Sequence, residues 1–249
     1  MIAPRSLFTI KKKINGRDSQ GHISIRHRGG AHKRYLRTID WRRVPHDVGA
    51  TVVSIDYDPN RTADIALLSY ANGHKTYILA TANLKIGDKI LTSTTAPISE
   101  GNRLPLKSIP VGVAIHCLEL MPGGGAKMVK SAGNAAYIQS IDDKQATVKL
   151  PSGEIRLFKS DCWATIGQVG NQNLSNIKMT KAGDSRHRGI RPGVRGVAQN
   201  PHSHPHGGGE GRSSIGMNPK TPWGKPAMGK RTRKRKNASN RLIVSRRKK

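Results

Sequence analysis

The residues best suited to chemistry are clustered in one stretch, Asn200-Pro201-His202-Ser203-His204-Pro205-His206-Gly207-Gly208-Gly209-Glu210-Gly211-Arg212. Three histidines alternate with other residues, two prolines interrupt them, and a glycine run and one carboxylate follow. Such a segment has no apolar periodicity with which to build a core. Three chemistries fit it. Imidazoles at i, i+2 and i+4 can ligate a metal, but tetrahedral zinc needs a fourth ligand, and only Glu210 lies close. A histidine beside a glycine-rich turn can act as a general base, since its unperturbed pKa lies near 6.5. Catalysis also needs a nucleophile or oxyanion stabiliser on a rigid scaffold, and the neighbours here are glycine and serine. Gly207-Gly208-Gly209 is not a P-loop, because no Gly-Lys-Ser/Thr follows. The third chemistry is a backbone shaped for close approach to a polyanion, with neutral imidazoles hydrogen-bonding to backbone or partner. Glycines supply unobstructed N–H donors, and Arg186, Arg188, Arg191, Arg195 and Arg212 supply bidentate phosphate ligands.

The only thiols, Cys117 and Cys162, lie far apart in alternating apolar stretches. They form neither a disulfide framework nor a Cys-x-x-Cys pair, so they read as buried and reduced. No apolar run approaches the ~20 residues of a membrane span. The basic tail lacks the apolar face of an interfacial helix, and Met1-Ile2-Ala3-Pro4-Arg5 does not open a secretory signal. Neither a membrane partner nor a metal site is expected.

Charge separates the elements that must position these residues. The chain of 249 residues carries a net charge of +29, unevenly distributed. Residues 1–43 hold 12 Lys/Arg against 2 Asp/Glu, residues 44–184 hold 14 against 12, and residues 185–249 hold 18 against 1. A nearly neutral centre between two cationic arms points to nucleic acid. The N-terminal arm carries Lys11-Lys12-Lys13 and then Arg26, Arg28, His32, Lys33 and Arg34 around the Gly29-Gly30 hinge. Ile23 and Ile25 alternate with polar residues and are consistent with a short strand. From Lys181 onward Gly, Pro, Arg, His and Lys dominate, with cationic runs at Arg231-Thr232-Arg233-Lys234-Arg235-Lys236 and Arg246-Arg247-Lys248-Lys249. Leu242-Ile243-Val244 is the one apolar anchor, so this extension should lack a core of its own.

The centre reads as all-β. Alternating, β-branched runs cover 50–57, 65–70 and 75–79, with Asp58-Pro59-Asn60-Arg61 as turn chemistry and Asn72-Gly73 as a hairpin turn. A short strand follows at 88–91. Pro105 and Pro110 bracket a connector, after which runs at 111–120, 135–141, 146–150, 155–158 and 162–169 make a second set. The expected organisation is a basic arm over 1–43, a small β-barrel over 44–110, a second over 111–180, and a basic extension over 181–249. Aromatic residues make up only 4% of the chain, which disfavours heavy base stacking and favours phosphate and sugar contacts to folded RNA. A protein that compacts duplex DNA is the alternative, although no helix-turn-helix or zinc finger is visible.

The chain resembles the bacterial-type ribosomal protein two of the large subunit. The resemblance is carried by Gly29-Gly30-Ala31-His32-Lys33, Tyr57-Asp58-Pro59-Asn60-Arg61, Tyr77-Ile78-Leu79-Ala80, 102–112, Arg191-Pro192-Gly193-Val194-Arg195-Gly196, 200–212 and Thr221-Pro222-Trp223-Gly224. It implies an OB-fold barrel, then an SRC-homology-3-like barrel, then an extension into ribosomal RNA. It also implies a non-enzymatic ribonucleoprotein component that binds large-subunit ribosomal RNA beside neighbouring ribosomal proteins. Such a protein helps join the small subunit at the intersubunit face and lies close to transfer RNA. Its matching positions near the peptidyl transferase centre would be His204, Pro205, His206, Gly207, Gly208, Gly209, Glu210 and Gly211. The cations named above, with Arg61 in the turn and Trp223 near the end, are the candidate RNA-binding residues. No cofactor is implied beyond Mg2+ that accompanies RNA. Two departures stand out. The family usually has Asp before His-Pro-His where this chain has Ser203, with His202 added nearby, which weakens any carboxylate-tuned histidine. Bacterial members also carry about thirty more residues before the segment matching Gly21, which favours a mitochondrial ribosome over a bacterial or plastid one.

Overall fold

The computed structural model describes residues 3–43 and 47–247. The expected start of the first barrel at 44 and the terminal Lys248-Lys249 pair, like Met1 and Ile2, lie outside these described residues. The chain divides into two compact units. One comprises residues 1–12, 33–178 and 239–249, and the other residues 13–32 and 179–238. The basic N-terminal arm is therefore shared between them. Residues 13–32 belong with the C-terminal extension, while the last eleven residues return to the unit of the central strands.

The first unit is built of antiparallel strands. β1 (Phe8–Ile10) pairs with β2 (Tyr35–Arg37) in a two-stranded ribbon. β3 (Ala50–Asp56), β4 (Ile65–Tyr70), β5 (Lys75–Leu79) and β6 (Lys89–Ile90) form a sheet in the order β5-β4-β3-β6. A hairpin turn joins β4 to β5 where Asn72-Gly73 is expected to make one, but only Gly73 is left-handed, at φ 78°, and Asn72 instead accepts His74 N–H at Oδ1 at 3.0 Å. Residues 65–68 of β4 and 77–80 at the end of β5 are apolar without a break because both faces are covered. Ile65, Leu67, Tyr77 and Leu79 point into a cluster shared with Cys117, Ala126 and Val169. Ala66, Leu68, Ile78 and Ala80 point the opposite way, against Val52, Leu84 and Ile90. The period-two alternation of a strand thus divides one apolar run between two cores.

The remaining strands are β7 (Arg103–Pro105), β8 (Ala114–His116), β9 (Leu118–Glu119), β10 (Ala126–Met128), β11 (Ala136–Ile141), β12 (Gln145–Lys149), β13 (Ile155–Lys159), β14 (Trp163–Ile166) and β15 (Ile243–Ser245). Seven of them run β15-β13-β12-β11-β8-β14-β7, and β9 pairs with β10. Their core holds Leu104, Leu106, Ile109, Ile115, Leu118, Ile138, Val148, Phe158 and Ile166. The connector bracketed by Pro105 and Pro110 is part of this second core, and β7 is a strand of its sheet. The apolar run at 111–120 is broken into β8 and β9 by Cys117, whose backbone is left-handed at φ 49°. Leu242-Ile243-Val244 does serve as an anchor, as β15 pairs with the edge of β13. Both thiols are free and buried, and burial pushes each up to about 11.

In the second unit α1 (Ala182–His187) is the only α-helix among the described residues, and none of the three hydrophobic clusters includes a residue of this unit. Its polar turns are held by backbone hydrogen bonds instead. Ile23 and Ile25 do not form a strand: Ile23 makes one isolated bridge to Arg17, and both side chains are exposed. No helix of the described residues is long and apolar enough to cross a membrane.

Candidate nucleic-acid interface

The second unit concentrates the charge. It holds 18 Lys/Arg against 3 Asp/Glu (Asp18, Asp184 and Glu210), and lacks the apolar cluster that would otherwise explain its folding. Two segments brace each other within it. Gly29 N–H donates to Gly189 O at 3.0 Å, Arg191 N–H to His27 O at 3.1 Å, and His32 N–H to His187 O at 3.1 Å. Arg28 bridges Ile190, and the His32 and His187 rings lie 4.3 Å apart. The Gly29-Gly30-Ala31-His32 motif is thereby matched to the segment leading into Arg191-Pro192-Gly193. Sequence reading placed the two pieces on separate arms.

Arg26, Arg28, Arg188, Arg191, Arg195 and Arg212 are exposed, and Arg26 stacks over the ring of the exposed Trp223 at 5.4 Å. Arg186 is half-buried and donates from Nη1 to Ile190 O at 2.9 Å. Lys13, His32, Arg231, Arg233, Lys234, Arg235 and Lys236 are exposed on the same unit. Lys11, Lys12 and Lys33 are exposed on the first unit, as are Arg246 and Arg247.

Arg34 and Arg61 are different. Both are half-buried, and their guanidinium groups face the protein. Arg34 Nη1 donates to Pro59 O at 2.8 Å. Arg61 Nε donates to Asp58 Oδ2 at 2.6 Å, and its guanidinium lies 5.6 Å over the Trp41 ring. Asp58 is fully buried and also accepts from Asn60 N–H at 3.0 Å and from Arg37 at 3.5 Å. Burial alone would raise its pKa, but the hydrogen bonds from Arg61 and Asn60 hold it below the usual carboxylate range. Asn60 Nδ2 reaches Tyr35 O at 2.6 Å, so the turn read as Asp-Pro-Asn-Arg clamps the β1–β2 ribbon.

The histidine–glycine stretch is folded against itself. Ser203 and His204 N–H both donate to Asn200 O, Gly207 N–H to His204 O, and Gly208 N–H to Gln199 O. His204 is buried at 8% exposure, with its ring lying on Gly196. A Cβ on Gly207 would drive into the Asn200 and Gln199 carbonyls, so the third residue after His204 has no room for a side chain. His204 Nδ1 accepts His206 N–H at 3.0 Å, and His206 Nε2 accepts Lys220 N–H at 2.8 Å. A neutral imidazole has one acceptor nitrogen, and in both rings it is engaged by backbone. One nitrogen of each ring is thus committed to closing the loop through a backbone N–H group. His202, Glu210 and Gly211 are exposed; among the described residues no three metal-capable side chains converge.

Sequence reasoning missed the buried polar group of the first unit. Arg103, 1% exposed, donates from Nη2 to Glu119 Oε1 at 2.9 Å and from Nη1 to Cys117 O at 3.1 Å. Glu119 also accepts Gly125 N–H at Oε1, and Gly123 and Trp163 N–H at Oε2, all within 3.1–3.2 Å. Arg43 and His116 line a cavity of about 10 Å3 together with Arg103. The signal was His116 and Glu119 within the otherwise apolar run at 111–120.

Residues 4–92 match the family described as "Ribosomal Proteins L2, RNA binding N-terminal domain", and residues 99–224 match "Ribosomal Proteins L2, C-terminal domain". The curled sheets are of the OB-fold and SRC-homology-3-like types of those domains. With both domain matches in order along one strongly basic chain, the protein belongs to the ribosomal protein L2 family and is a structural, RNA-binding constituent of the large ribosomal subunit.

Proposed function

We propose that the second unit, ordered without an apolar cluster, threads between ribosomal RNA helices and that its exposed cations neutralise their phosphates. The observation that carries this reading is 18 Lys/Arg against 3 Asp/Glu on a unit held together by backbone hydrogen bonds. Lys13, Arg26, Arg28, His32, Arg186, Arg188, Arg191, Arg195, Arg212, Trp223, Arg231, Arg233, Lys234, Arg235 and Lys236 contact RNA directly. Lys11, Lys12, Lys33, Arg246 and Arg247 extend the contact from the first unit. Arg34 and Arg61 act through the turn they hold. On the family resemblance, residues 204–211 stand near the peptidyl transferase centre and transfer RNA, and the protein supports subunit association as a bacterial-type member in a mitochondrial ribosome. Its contribution there is architectural and needs no cofactor of its own. That part is supported by the two imidazoles, whose acceptor nitrogens hold backbone N–H groups.

Full-length protein titrated with a large-subunit ribosomal RNA fragment tests the electrostatic reading. Six to ten phosphate contacts predict an affinity loss of about 10³–10⁵-fold between 50 and 200 mM salt. A salt-independent affinity, or equal affinity for duplex DNA in competition, contradicts it. For the loop, ribosomes carrying His206→Ala should keep peptide-bond formation within a few-fold. General acid–base removal would instead cost about 10²–10⁴-fold.

A further inference from the structure

The second unit contains a groove of about 480 Å3, within the ~300–1,000 Å3 range of small-ligand clefts. Arg17, Arg26, Arg28 and Arg191 line it, and no carboxylate does. Its remaining walls include Ile23 and Ile25, which are 65% and 60% exposed. Two large aliphatic side chains left open to solvent among four guanidinium groups are not explained by the unit's own packing. Nor are they explained by phosphate binding, to which isoleucine contributes nothing. The walls are braced. Ser24 and Ile25 N–H both donate to Gly16 O at 2.9 and 3.0 Å, His22 N–H donates to Asp18 Oδ1 at 2.9 Å, and Arg191 N–H donates to His27 O at 3.1 Å. Arg26 is further oriented by Trp223.

We propose that this groove receives one unpaired RNA nucleotide, with its base against Ile23 and Ile25 and its flanking phosphates on Arg17, Arg26, Arg28 and Arg191. The proposal rests on the RNA-binding role and adds a ligand class to it. A duplex hides the faces of its bases in the stack and would offer the groove only phosphates, leaving both isoleucines in water. A nucleotide turned out of its helix supplies an apolar face and charge together, and sequence-specific RNA recognition characteristically uses such splayed bases. The charge complementarity selects a polyanionic strand.

The test uses assembled large subunits in which Ile25 is replaced by photoreactive p-benzoylphenylalanine. Sedimentation of the variant with the particle checks the ribosomal role separately from the groove. The expected result is a cross-link to one nucleotide whose base-pairing edge is open to chemical probing. Cross-links to a base-paired segment or to a neighbouring protein overturn the proposal, as does no cross-link from a variant present in the particle. A second measurement covers poor assembly: full-length Ile25→Ser is titrated with a ribosomal RNA fragment across salt concentrations. Loss of a base contact lowers affinity about tenfold and leaves the salt slope unchanged. Arg28→Gln reduces the slope by about 1. If Ile25→Ser has unchanged affinity, the groove binds phosphate alone and the nucleotide assignment fails.

Discussion

Glu119→Gln is the sharpest single perturbation of this fold. The carboxylate accepts four hydrogen bonds from three places in the chain: Arg103, the Gly123–Gly125 turn and Trp163 N–H. Substitution by the isosteric amide keeps the volume and removes the charge. Arg103 is then left in the interior without its counterion, beside Arg43, whose pKa burial and then Arg103 already depress to about 10. Breaking a buried pair from one side costs about 3–5 kcal/mol. The amide has one acceptor oxygen, so whichever way it is flipped its NH2 faces N–H donors. Orphaning a buried donor adds about 1–3 kcal/mol. Total stability of a domain is about 5–15 kcal/mol, so Glu119→Gln should lose about a quarter of it or more. The assay is equilibrium urea denaturation of the full chain, with Asp161→Asn as the matched control. Asp161 pairs with Lys107 at the same 2.9 Å, but the two side chains are 66% and 55% exposed. That exposed pair should be worth about 0–1 kcal/mol. If Glu119→Gln and Asp161→Asn shift the midpoint alike, burial is not what makes the Arg103–Glu119 pair matter and the reasoning fails.

Other outcomes follow from the same geometry. His116 is fully buried, its Nδ1–H donates to Gly167 O at 2.8 Å, and burial, then Arg43 and Arg103, push its pKa down to about 4. The folded pKa lies below the unfolded value near 6.5, so the unfolded chain binds the proton more tightly. Stability is then full above about pH 6.5 and falls by about 3 kcal/mol as pH drops to 4. Urea midpoints of His116→Gln should lack that part of the acid sensitivity, and an unchanged pH profile would discount it. Asp58→Asn should cost about 2–3 kcal/mol and expose Arg34 and Arg37 to trypsin as the β1–β2 ribbon comes loose; unchanged cleavage argues against the clamp. Gly207→Ala should open the 199–208 loop while the sheets stay folded. Amide exchange at His204, Gly207 and Gly208 should speed up while protection in β4 and β12 is retained, and equal exchange in both proteins would show that the close approach is not needed.

Local patterning determined a good deal by itself. Alternating apolar residues and Asn-Gly or Asp-Pro turns placed β3, β4, β5, β11, β12 and β13, because a strand's two-residue period and a turn's φ requirement are written into neighbouring residues. The charge partition and the Gly/His motifs likewise pointed to ribosomal RNA, since charge density and motif order need no folding to be read. Short strands such as β1, β7 and β10 were missed, being three residues each and lacking a period to detect. What the tertiary structure alone decided are pairings between distant residues. Glu119 finds Trp163, Arg34 and Arg61 turn inward toward the 58–61 turn, and residues 27–32 lie along 187–191. The histidine–glycine stretch shows the division best. Its composition announced a segment without a core, and that holds. Only the fold showed that His204, His206 and Gly207 are occupied in closing the loop, because the acceptor capacity of an imidazole depends on which N–H group the backbone brings to it.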